Sequence, residues 1–237
     1  MKPLKQLETN INTRDAYEYW SATYDADRNL TRDLDQVVTQ ASLADLRCKS
    51  ILEIGCGTGK NTPLLAQIGE HVCALDFSEG MLYQAKSKLR LDNVHFVVAD
   101  ITRPWPCKER SFDLIACNLV LEHIQDLSFI FAEASRVLAD AGRMLVCELH
   151  PFRQYQGTQA NFQQGSESVV IPAFIHHISE FMESAAKHGL SLRRFKEWWD
   201  EEVKQTKPPR LVTFMFEKDL PSGSSPELGW DARGRNP

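Results

Sequence analysis

Short apolar runs alternate with amphipathic stretches across the middle of the chain. Five of these runs predict buried strands: SILEIG, HVCALD, VHFVVAD, FDLIACNLV and RMLVCEL. The stretches NTPLLAQIG, SEGMLYQAKSKL and LSFIFAEASRVLADAG repeat their apolar residues at helical spacing, and the third helix is expected to end near Gly142. Strands that alternate with helices form a parallel sheet covered by helices on both faces. The pattern therefore predicts an α/β fold.

Two segments before the first strand differ in their pattern. Residues 12–29 are rich in aromatic side chains and show no period. Residues 31–46 show a helical period, with Thr31 as the expected N-cap. The inward face of this helix is expected to consist of Leu34, Val37, Val38, Ala41 and Ala44.

The rhythm changes after the fifth strand. Residues 151–172 are rich in Gln, Gly, Ser and Asn and predict a loop or an insertion. A helix follows in HHISEFMESAAKHG, whose expected inner face consists of Ile178, Phe181, Met182 and Ala185. Two strands, SLRRFKEWWDE and RLVTFMFEK, then flank the turn KQTKPP and predict an antiparallel hairpin at the edge of the sheet. We expect a Rossmann-like seven-stranded sheet in a single domain over residues 1–219, and a disordered tail over residues 220–237.

The composition restricts the classes of function. The 237 residues carry a net charge of −5, so no strong basic field draws the chain to nucleic acid or to an anionic membrane. No apolar run approaches the roughly 20 residues that a membrane span needs, and the start MKPLKQLETN lacks the apolar core of a signal peptide. The six cysteines include no C-x-x-C pair and lie mostly in strand-like runs, which argues against a metal site or disulfides. These features predict a cytoplasmic protein.

A glycine-rich loop follows the first strand and reads Glu53-Ile54-Gly55-Cys56-Gly57-Thr58-Gly59. The phosphate loop G-x-x-x-x-G-K-[ST] fails here, because Ile54 stands at its first glycine and Asn61 at its hydroxyl position. The dinucleotide fingerprint G-x-G-x-x-G is weak, because its third glycine would fall on Lys60 or Thr62. The pattern present is E-x-G-x-G-x-G, whose glycines let the backbone approach a ligand.

Acidic residues close the next two strands. Asp76 ends the second strand 21 residues after Gly55, where a carboxylate in a Rossmann-like sheet meets a ribose. Asp100, in the run Ala99-Asp100-Ile101, closes the third strand, where a polar side chain and a backbone amide can bind the edge of an adenine. These positions predict a nucleoside ligand at the carboxyl ends of the strands.

Together these motifs resemble the class I S-adenosylmethionine-dependent methyltransferases. The resemblance covers about residues 45–150, through the glycine loop, ALDFSEGM, VVADI and FDLIACNLVLEHI, and extends loosely to the closing hairpin. The chain is similar to the group that acts on small metabolites, such as the quinone-biosynthesis methyltransferases. The resemblance implies S-adenosylmethionine as the cofactor and S-adenosylhomocysteine as its product. It implies the cofactor-binding residues Tyr24, Glu53, Gly55, Cys56, Gly57, Gly59, Asp76, Phe77, Met81, Asp100, Ile101 and Asn118.

Some of these residues have expected roles. The glycines would lie beside the methionine part of the cofactor, and Asp76 would accept both ribose hydroxyls through its two oxygens. Phe77 and Met81 would form an apolar wall against the adenine. Glu53 is either a cofactor contact or a strand-end residue that holds the loop.

The resemblance also indicates where methyl transfer occurs. The reaction is an in-line displacement, so the protein mainly aligns the acceptor and excludes water. In similar enzymes the residues after the fourth strand lie beside the transferred methyl group, and open α/β sheets bind ligands where the strands end. The candidate catalytic residues are therefore His123, Asn118 and His150. Alternatively, His123 bonds the backbone at a helix start and His150 belongs to a strand-end turn.

Two flanking segments complete the expected site. In similar enzymes the segment before the sheet, here residues 1–47, forms a helical cover over the cofactor. Its arginines, Arg28 and Arg32, either meet a carboxylate of a ligand or are solvated. Residues 151–175 are expected to form an insertion on the substrate side. The aromatic side chains of the cover include Tyr17, Tyr19, Trp20 and Tyr24.

The sequence favours methylation of a small molecule by a monomer or dimer. One alternative is a tRNA methyltransferase of the wobble-uridine type, which has a similar short architecture. The net charge of −5 argues against it. The Asp/Asn-Pro-Pro-Tyr/Phe signature of many adenine and glutamine methyltransferases is absent, because the chain reads NLVLEH after the fourth strand. A second alternative is a protein that binds S-adenosylmethionine without turning it over.

Overall fold

In the computed structural model of the chain, residues 11–27, 29–164, 167–200 and 207–220 are described. Arg28 and the tail from residue 221 lie outside these ranges. The helices are α1 (Thr13–Trp20), α2 (Leu30–Leu43), α3 (Thr62–Ile68), α4 (Glu79–Lys88), a short 3-10 helix (Leu121–His123), α5 (Leu127–Val137), α6 (Pro151–Tyr155) and α7 (Ile178–Lys187). The strands are β1 (Cys48–Ile54), β2 (Gly69–Asp76), β3 (Val94–Val98), β4 (Phe112–Asn118), β5 (Leu138–Leu149), β6 (Asn161–Gln164), β7 (Glu167–Val170), β8 (Leu190–Trp198) and β9 (Leu211–Lys218).

Seven of the strands form one sheet in the order β3-β2-β1-β4-β5-β9-β8. The first five strands of the chain pair in parallel, whereas β9 is antiparallel to both β5 and β8. The Rossmann-like sheet with an antiparallel edge hairpin is thus confirmed. The order reverses between β1 and β4, so their carboxyl ends diverge into a crevice where such sheets bind ligands.

Apolar side chains cover both faces of this sheet. Ile51 and Leu52 are neighbours on β1 and point to opposite faces, as the period of a strand requires. Ile51 packs in the core that includes Leu65 of α3, and Leu52 packs in the core that includes Phe131 of α5 and Phe181 of α7. This burial on both faces fixes the strands, and with them the positions of the loops at their ends. Among the helices of the described ranges, not one has the length and apolarity needed to cross a membrane.

The boundary between α5 and β5 differs from the prediction. The helix ends at Val137, and the expected helical run to Gly142 is wrong because Leu138 already pairs with Phe112 of β4. The ladder then skips from that pair to Leu114 opposite Arg143, so the residues between them form an irregularity in the strand. The local sequence favours a longer α5, but the pairing of β5 with β4 ends the helix at Val137.

The packed face of α2 also differs from the prediction. Asn29, and not Thr31, caps the helix, since its side chain accepts hydrogen bonds from the backbone N–H groups of Thr31 and Arg32. Val37 is 60% exposed, and Ala41 and Ala44 are exposed too. The buried face instead combines polar and apolar side chains: Arg32, Asp35, Val38, Thr39 and Leu43. On α7, the predicted inward residue Met182 is likewise exposed.

The segments that seemed irregular contain regular structure. Asn12 caps α1, which buries Ala16 and Trp20 and therefore shows little periodicity in its sequence. Residues 151–172 contain α6 and the two-stranded sheet of β6 and β7. Phe162 of β6 stacks on Trp20 with ring centroids 5.3 Å apart, so the hairpin packs against α1.

Candidate functional site

A cavity of about 370 Å³ lies at the carboxyl ends of the parallel strands, beside the point where the strand order reverses. Its volume is within the range of small-molecule sites. Except for Gly59, every cofactor-binding residue expected from the sequence lines this cavity, together with the catalytic candidates Asn118 and His123. The lining residues include Tyr24, Glu53, Gly55, Cys56, Gly57, Asp76, Phe77, Met81, Asp100, Ile101, Asn118 and His123, with Gly59 in the adjoining turn.

The glycine loop brings its backbone close to this cavity. Gly55, Gly57 and Gly59 have positive φ angles of 66°, 53° and 81°, which favour glycine because other residues are strained there. A Cβ on Gly55 would lie 2.2 Å from Cγ2 of Val120, whereas a Cβ on Gly57 would meet nothing within 4 Å. Gly55 is therefore required for packing, and Gly57 leaves open space beside the cavity.

Asp76 connects the glycine loop to α4. Its Oδ2 accepts a hydrogen bond from the N–H of Gly57 and its Oδ1 accepts one from the N–H of Ser78, each at 2.9 Å. Burial raises the pKa of Asp76 to about 6 against these bonds, which favour the ionised form. Because a carboxylate oxygen can accept two hydrogen bonds, both oxygens retain acceptor capacity for a ligand.

Two further carboxyl groups line the same cavity. Oε2 of Glu53 accepts a 2.7 Å hydrogen bond from the hydroxyl of Thr62, and burial raises the pKa of Glu53 to about 8. Asp35 on α2 accepts hydrogen bonds from the side chains of Asn61 and Asn118, each at 2.7 Å, and burial still raises its pKa. Asp35, Glu53 and Asp76 are called the acidic cluster below. Buried carboxylates are stabilised by positive charge, so the cluster favours a cationic ligand.

The backbone after β4 is held by Glu148 of β5. Oε1 of Glu148 accepts hydrogen bonds from the N–H groups of Val120 at 3.0 Å and Leu121 at 2.9 Å. Its Oε2 is buried without a hydrogen-bond partner among the described residues, and burial raises the pKa of the group to about 8. These bonds fix the turn that carries Val120 against Gly55 and His123 into the cavity.

Asn118 joins the sheet to α2. Its Nδ2 donates hydrogen bonds to Oδ1 of Asp35 and to the hydroxyl of Thr39, both at 2.7 Å. The side-chain amide is therefore occupied by the cover helix while the residue lines the cavity. This geometry gives Asn118 a role in positioning α2 over the site.

His123 lies between the cover and the turn after β4. Its Nδ1 lies 2.8 Å from the carbonyl oxygen of Pro172, and its Nε2 lies 2.8 Å from the hydroxyl of Tyr17. The side chain is 7% exposed. The structure thus combines both interpretations of His123, because the ring bonds a backbone carbonyl and also lines the cavity.

His150 lies elsewhere. Its Nδ1 accepts a hydrogen bond from the N–H of Phe152, so the ring caps α6, and its Nε2 lies 2.8 Å from Oε1 of Glu197. It is not among the residues that line the cavity. The geometry therefore fits the strand-end alternative and does not bring His150 to the other catalytic candidates.

The cover is fastened at two places. On α1, Glu18 accepts a 2.6 Å hydrogen bond from the hydroxyl of Ser78 and a 3.0 Å bond from the N–H of Gly80, at the start of α4. On α2, the guanidinium of Arg32 lies 3.9 Å from the ring centroid of Tyr24 and donates to the carbonyl oxygens of Tyr24 and Asp27. Arg32 is buried, so the solvated alternative is wrong.

Several lining residues were not among the predicted site residues. Asp35 had a signal, because a carboxyl group lies on a helix face together with Val38 and Thr39, one turn further along. Four of the others belong to the cover: Asn12, Thr13, Arg14 and Tyr17. The rest lie at strand ends or in the segments that follow them: Ile54, Thr58, Lys60, Asn61, Thr102, Leu119, Val120 and Ile124.

A second cavity, of about 350 Å³, adjoins the first. Four residues line both: Tyr17, Tyr24, Arg32 and Leu119. Beyond this shared wall, the second cavity extends between the cover and residues 158–163, before and within β6. Its other lining residues are mostly polar and include Asn29, Thr31, Glu122, Thr158, Gln159 and Asn161. In the described ranges, no group of three or more His, Cys, Asp or Glu side chains could hold a metal ion.

Comparison with known proteins finds similarity to methyltransferases. Residues 52–146 match the family model described as a methyltransferase domain. The demethylmenaquinone methyltransferase of Clavibacter sepedonicus is 35% identical over 133 residues, which cover 54% of each chain. The malonyl-[acyl-carrier protein] O-methyltransferase of Methylovorus sp. is 29% identical over 179 residues, 71% of this chain and 60% of the relative. The chain thus spans about half the length of the curated relatives that it matches.

Solved structures show the same fold. The N-methyltransferase NodS from Bradyrhizobium japonicum, in complex with S-adenosylhomocysteine, superposes with a TM-score of 0.66 at 17% identity, over 88% of this chain and 99% of that chain. The methyltransferase solved with the Haloferax volcanii Trm112 activator has a TM-score of 0.72 at 15% identity, over 88% and 98% of the two chains. With the glycine loop and Asp76 at the expected ends of β1 and β2, residues 52–146 match a methyltransferase domain, and the chain has the fold of the class I S-adenosylmethionine-dependent methyltransferases.

Proposed function

We propose that this protein transfers a methyl group from S-adenosylmethionine to a small molecule bound in the second cavity. The observation that carries the proposal is the wall that the two cavities share. A methyl donor in the first cavity and an acceptor in the second would meet at Tyr17, Tyr24, Arg32 and Leu119. In-line transfer needs this arrangement, because the attacking atom must approach the methyl group opposite the sulfur.

The first cavity fits the cofactor chemically. Bound there, S-adenosylmethionine supplies an electrophilic methyl group on a positively charged sulfur. The ionised carboxyl groups of the acidic cluster stabilise positive charge, and the open space beside Gly57 leaves room for the amino-acid end. Asp76 has free acceptor capacity for the ribose hydroxyls. The apolar wall for the adenine would consist of Phe77, Met81 and Ile101, with Asp100 at its edge.

The second cavity would receive the acceptor. We assign its walls to the helical cover, within residues 1–47, and to the substrate-side insertion, residues 151–175. The packing of Phe162 on Trp20 supports this assignment, because it joins the two segments around the cavity. Asparagine, glutamine and threonine side chains along the wall favour a polar or amphipathic acceptor. In this scheme Asn118 positions the cover and His123 acts beside the shared wall.

The relatives support a small acceptor. Their printed names are demethylmenaquinone methyltransferase and malonyl-[acyl-carrier protein] O-methyltransferase. The net charge of −5 still argues against a tRNA substrate. Two adjoining cavities favour turnover over binding of the cofactor alone. The cytoplasmic location and the choice between monomer and dimer stay predictions from the sequence.

The test is transfer of label from methyl-labelled S-adenosylmethionine into an extract of the source cells, separated into small-molecule, protein and RNA fractions. We expect label in the small-molecule fraction with the wild-type protein and much less with Asp76→Ala, which removes the proposed acceptor for the ribose hydroxyls and the bond to the glycine loop. Label in RNA would replace the proposal with the tRNA alternative. No transfer, with S-adenosylmethionine binding intact by calorimetry, would leave a binding protein.

A further inference from the structure

Tyr17 of α1, one of the aromatic residues expected in the cover, lies between the two cavities. Its side chain lines both cavities, whereas the partner of its hydroxyl, His123, lines the cofactor cavity alone. The hydroxyl lies 2.8 Å from Nε2 of His123. A group bound at the wall that the two cavities share would therefore lie beside Tyr17, whose hydroxyl connects to the imidazole.

The direction of each hydrogen bond follows from the chemistry of the partners. The carbonyl oxygen of Pro172 can only accept, so the contact at 2.8 Å places the proton of the neutral ring on Nδ1 of His123. Nε2 then carries a lone pair and accepts the hydrogen bond from the Tyr17 hydroxyl. The ring is held in the tautomer that can take a proton at the atom facing Tyr17.

A carboxyl group lies next to the atom that would receive this proton. Oε1 of Glu122 is 3.8 Å from Nε2 of His123, and both side chains are buried, 8% and 7% exposed. Burial raises the pKa of Glu122, whereas a charge on His123 lowers it, so an imidazolium and the Glu122 carboxylate stabilise each other. The side-chain amide of Gln154 donates to the other oxygen of Glu122 at 3.3 Å and holds the carboxyl in place. The chain of groups from Tyr17 to Pro172 can thus accept one proton.

We propose that Tyr17 is a catalytic residue that takes a proton from the methyl acceptor while passing its own to His123, and that the acceptor is an O–H or N–H group. This inference rests on the proposed function. A carboxylate or thiolate has no proton to lose and would not need such a relay.

The step is balanced in atoms and charge. A bond forms between the acceptor atom and the methyl carbon as the carbon–sulfur bond breaks, and sulfur retains the electron pair. The acceptor proton moves to the Tyr17 oxygen as the Tyr17 proton moves to Nε2 of His123. The positive charge lost from sulfur therefore reappears on the imidazolium beside Glu122. His123 returns its proton to solvent when the site opens.

The surroundings of Tyr17 agree with a relay and not with a free phenolate. Burial, followed by the charges of Tyr24, Glu122, Asp76 and Glu148, raises the pKa of Tyr17 well above its ordinary value. The hydroxyl therefore keeps its own proton until His123 can take it in the same step. Glu122 also lies 3.8 Å from His123, and the arginines Arg14 and Arg32 line the same cavity as the pair.

The first test is spectroscopic and needs no acceptor. In ¹⁵N-histidine-labelled protein, His123 should show a protonated Nδ1 and an unprotonated Nε2, and Tyr17→Phe should shift the Nε2 resonance. Tyr19→Phe is the matched control, because Tyr19 is on the same helix, is 56% exposed and lines neither cavity. A protonated Nε2, or a His123 signal that is the same in wild type and Tyr17→Phe, would overturn the proposal.

The second test is kinetic and uses the unlabelled small-molecule fraction of the extract as the source of the acceptor. Tyr17→Phe and His123→Ala should each lower kcat roughly 10²-fold or more with little change in the KM for S-adenosylmethionine. The double variant should be little worse than either, since the two residues act as a unit. Tyr19→Phe should keep the wild-type rate. A wild-type kcat in Tyr17→Phe would refute the relay, while absent transfer by the wild-type protein would refute the proposed function itself.

The linkage in the product tests the acceptor class. Methyl esters release volatile methanol in mild base, whereas methyl ethers and N-methyl groups do not. Base-stable label is expected, and mass spectrometry of the product then separates O-methylation from N-methylation. Label released as methanol would identify a carboxylate acceptor, and label on carbon or sulfur would equally contradict the inference.

Discussion

Glu53→Gln should stabilise the protein in a pH-dependent way, because it removes a carboxyl group whose ionisation is opposed by burial. The pKa of Glu53 is raised from 4.5 to about 8. Between these values the folded protein keeps the proton that the unfolded chain loses, so wild-type stability falls as the pH rises and levels off above about pH 8. Glutamine has no such proton, and its carbonyl oxygen can still accept the hydrogen bond from Thr62.

The size of this stability gain follows from the raised pKa of Glu53. Each pKa unit corresponds to about 1.4 kcal/mol, so the variant should gain roughly 3 kcal/mol in free energy of unfolding at pH 7 and close to none near pH 4.5. The raised pKa values of Asp35 and Asp76 affect both proteins, and their contributions largely cancel in the difference.

Urea unfolding followed by tryptophan fluorescence at pH 5, 7 and 8.5 measures this difference. Glu183→Gln, at an exposed position on α7, is the control and should show no trend with pH. A stability difference between Glu53→Gln and wild type that stays constant over this range would refute the reasoning. It would mean that Glu53 is ionised in the folded protein.

Three further outcomes are expected. Asp76→Ala should weaken S-adenosylmethionine binding at least tenfold by calorimetry while the protein stays folded, and unchanged affinity would remove Asp76 from the site. Gly55→Ala should lower the free energy of unfolding by about 2–5 kcal/mol through strain and overpacking. This loss should clearly exceed that of Gly57→Ala, whose new methyl group meets nothing within 4 Å. In a double-mutant cycle, Val120→Ala should recover part of the loss in Gly55→Ala. Arg32→Lys should lower the melting temperature, because lysine cannot reproduce the planar donor pair to two backbone carbonyls.

The sequence predicted those parts of the fold that depend on a local period. Buried strands such as β1 and capped helices such as α4 follow directly from apolar spacing, and Ser78 caps α4 as expected. The end of α5 was wrong because Leu138 has a strand partner, Phe112, that no local pattern reveals.

In the candidate site too, some residues could be predicted from local sequence and topology, whereas others depend on tertiary packing. Residues at strand ends, such as Asp76 and Asn118, could be placed because topology alone positions them. The contact between Tyr17 and His123 joins residues 106 positions apart. This contact depends on how α1 packs over the sheet. The sequence indicates that packing only weakly, because Ala16 and Trp20 are the only residues that α1 buries. Asp35 was missed because a polar residue on a packed helix face conflicts with the usual apolar pattern.

The contact of Glu18 with α4 has a kinetic consequence. Its hydrogen bonds reach Ser78 and Gly80, two and four residues after Asp76, so the cover is attached beside the ribose end of the cofactor cavity. The bond from the Ser78 hydroxyl, followed by that from the Gly80 N–H, lowers the pKa of Glu18, which keeps this carboxylate ionised and bonded at neutral pH. If the spent cofactor leaves past this rim, its release requires the exposed carboxylate of Glu18 to give up these bonds. We then expect the dwell time of the product, and with it the maximal turnover rate, to depend on a residue that never meets the methyl group.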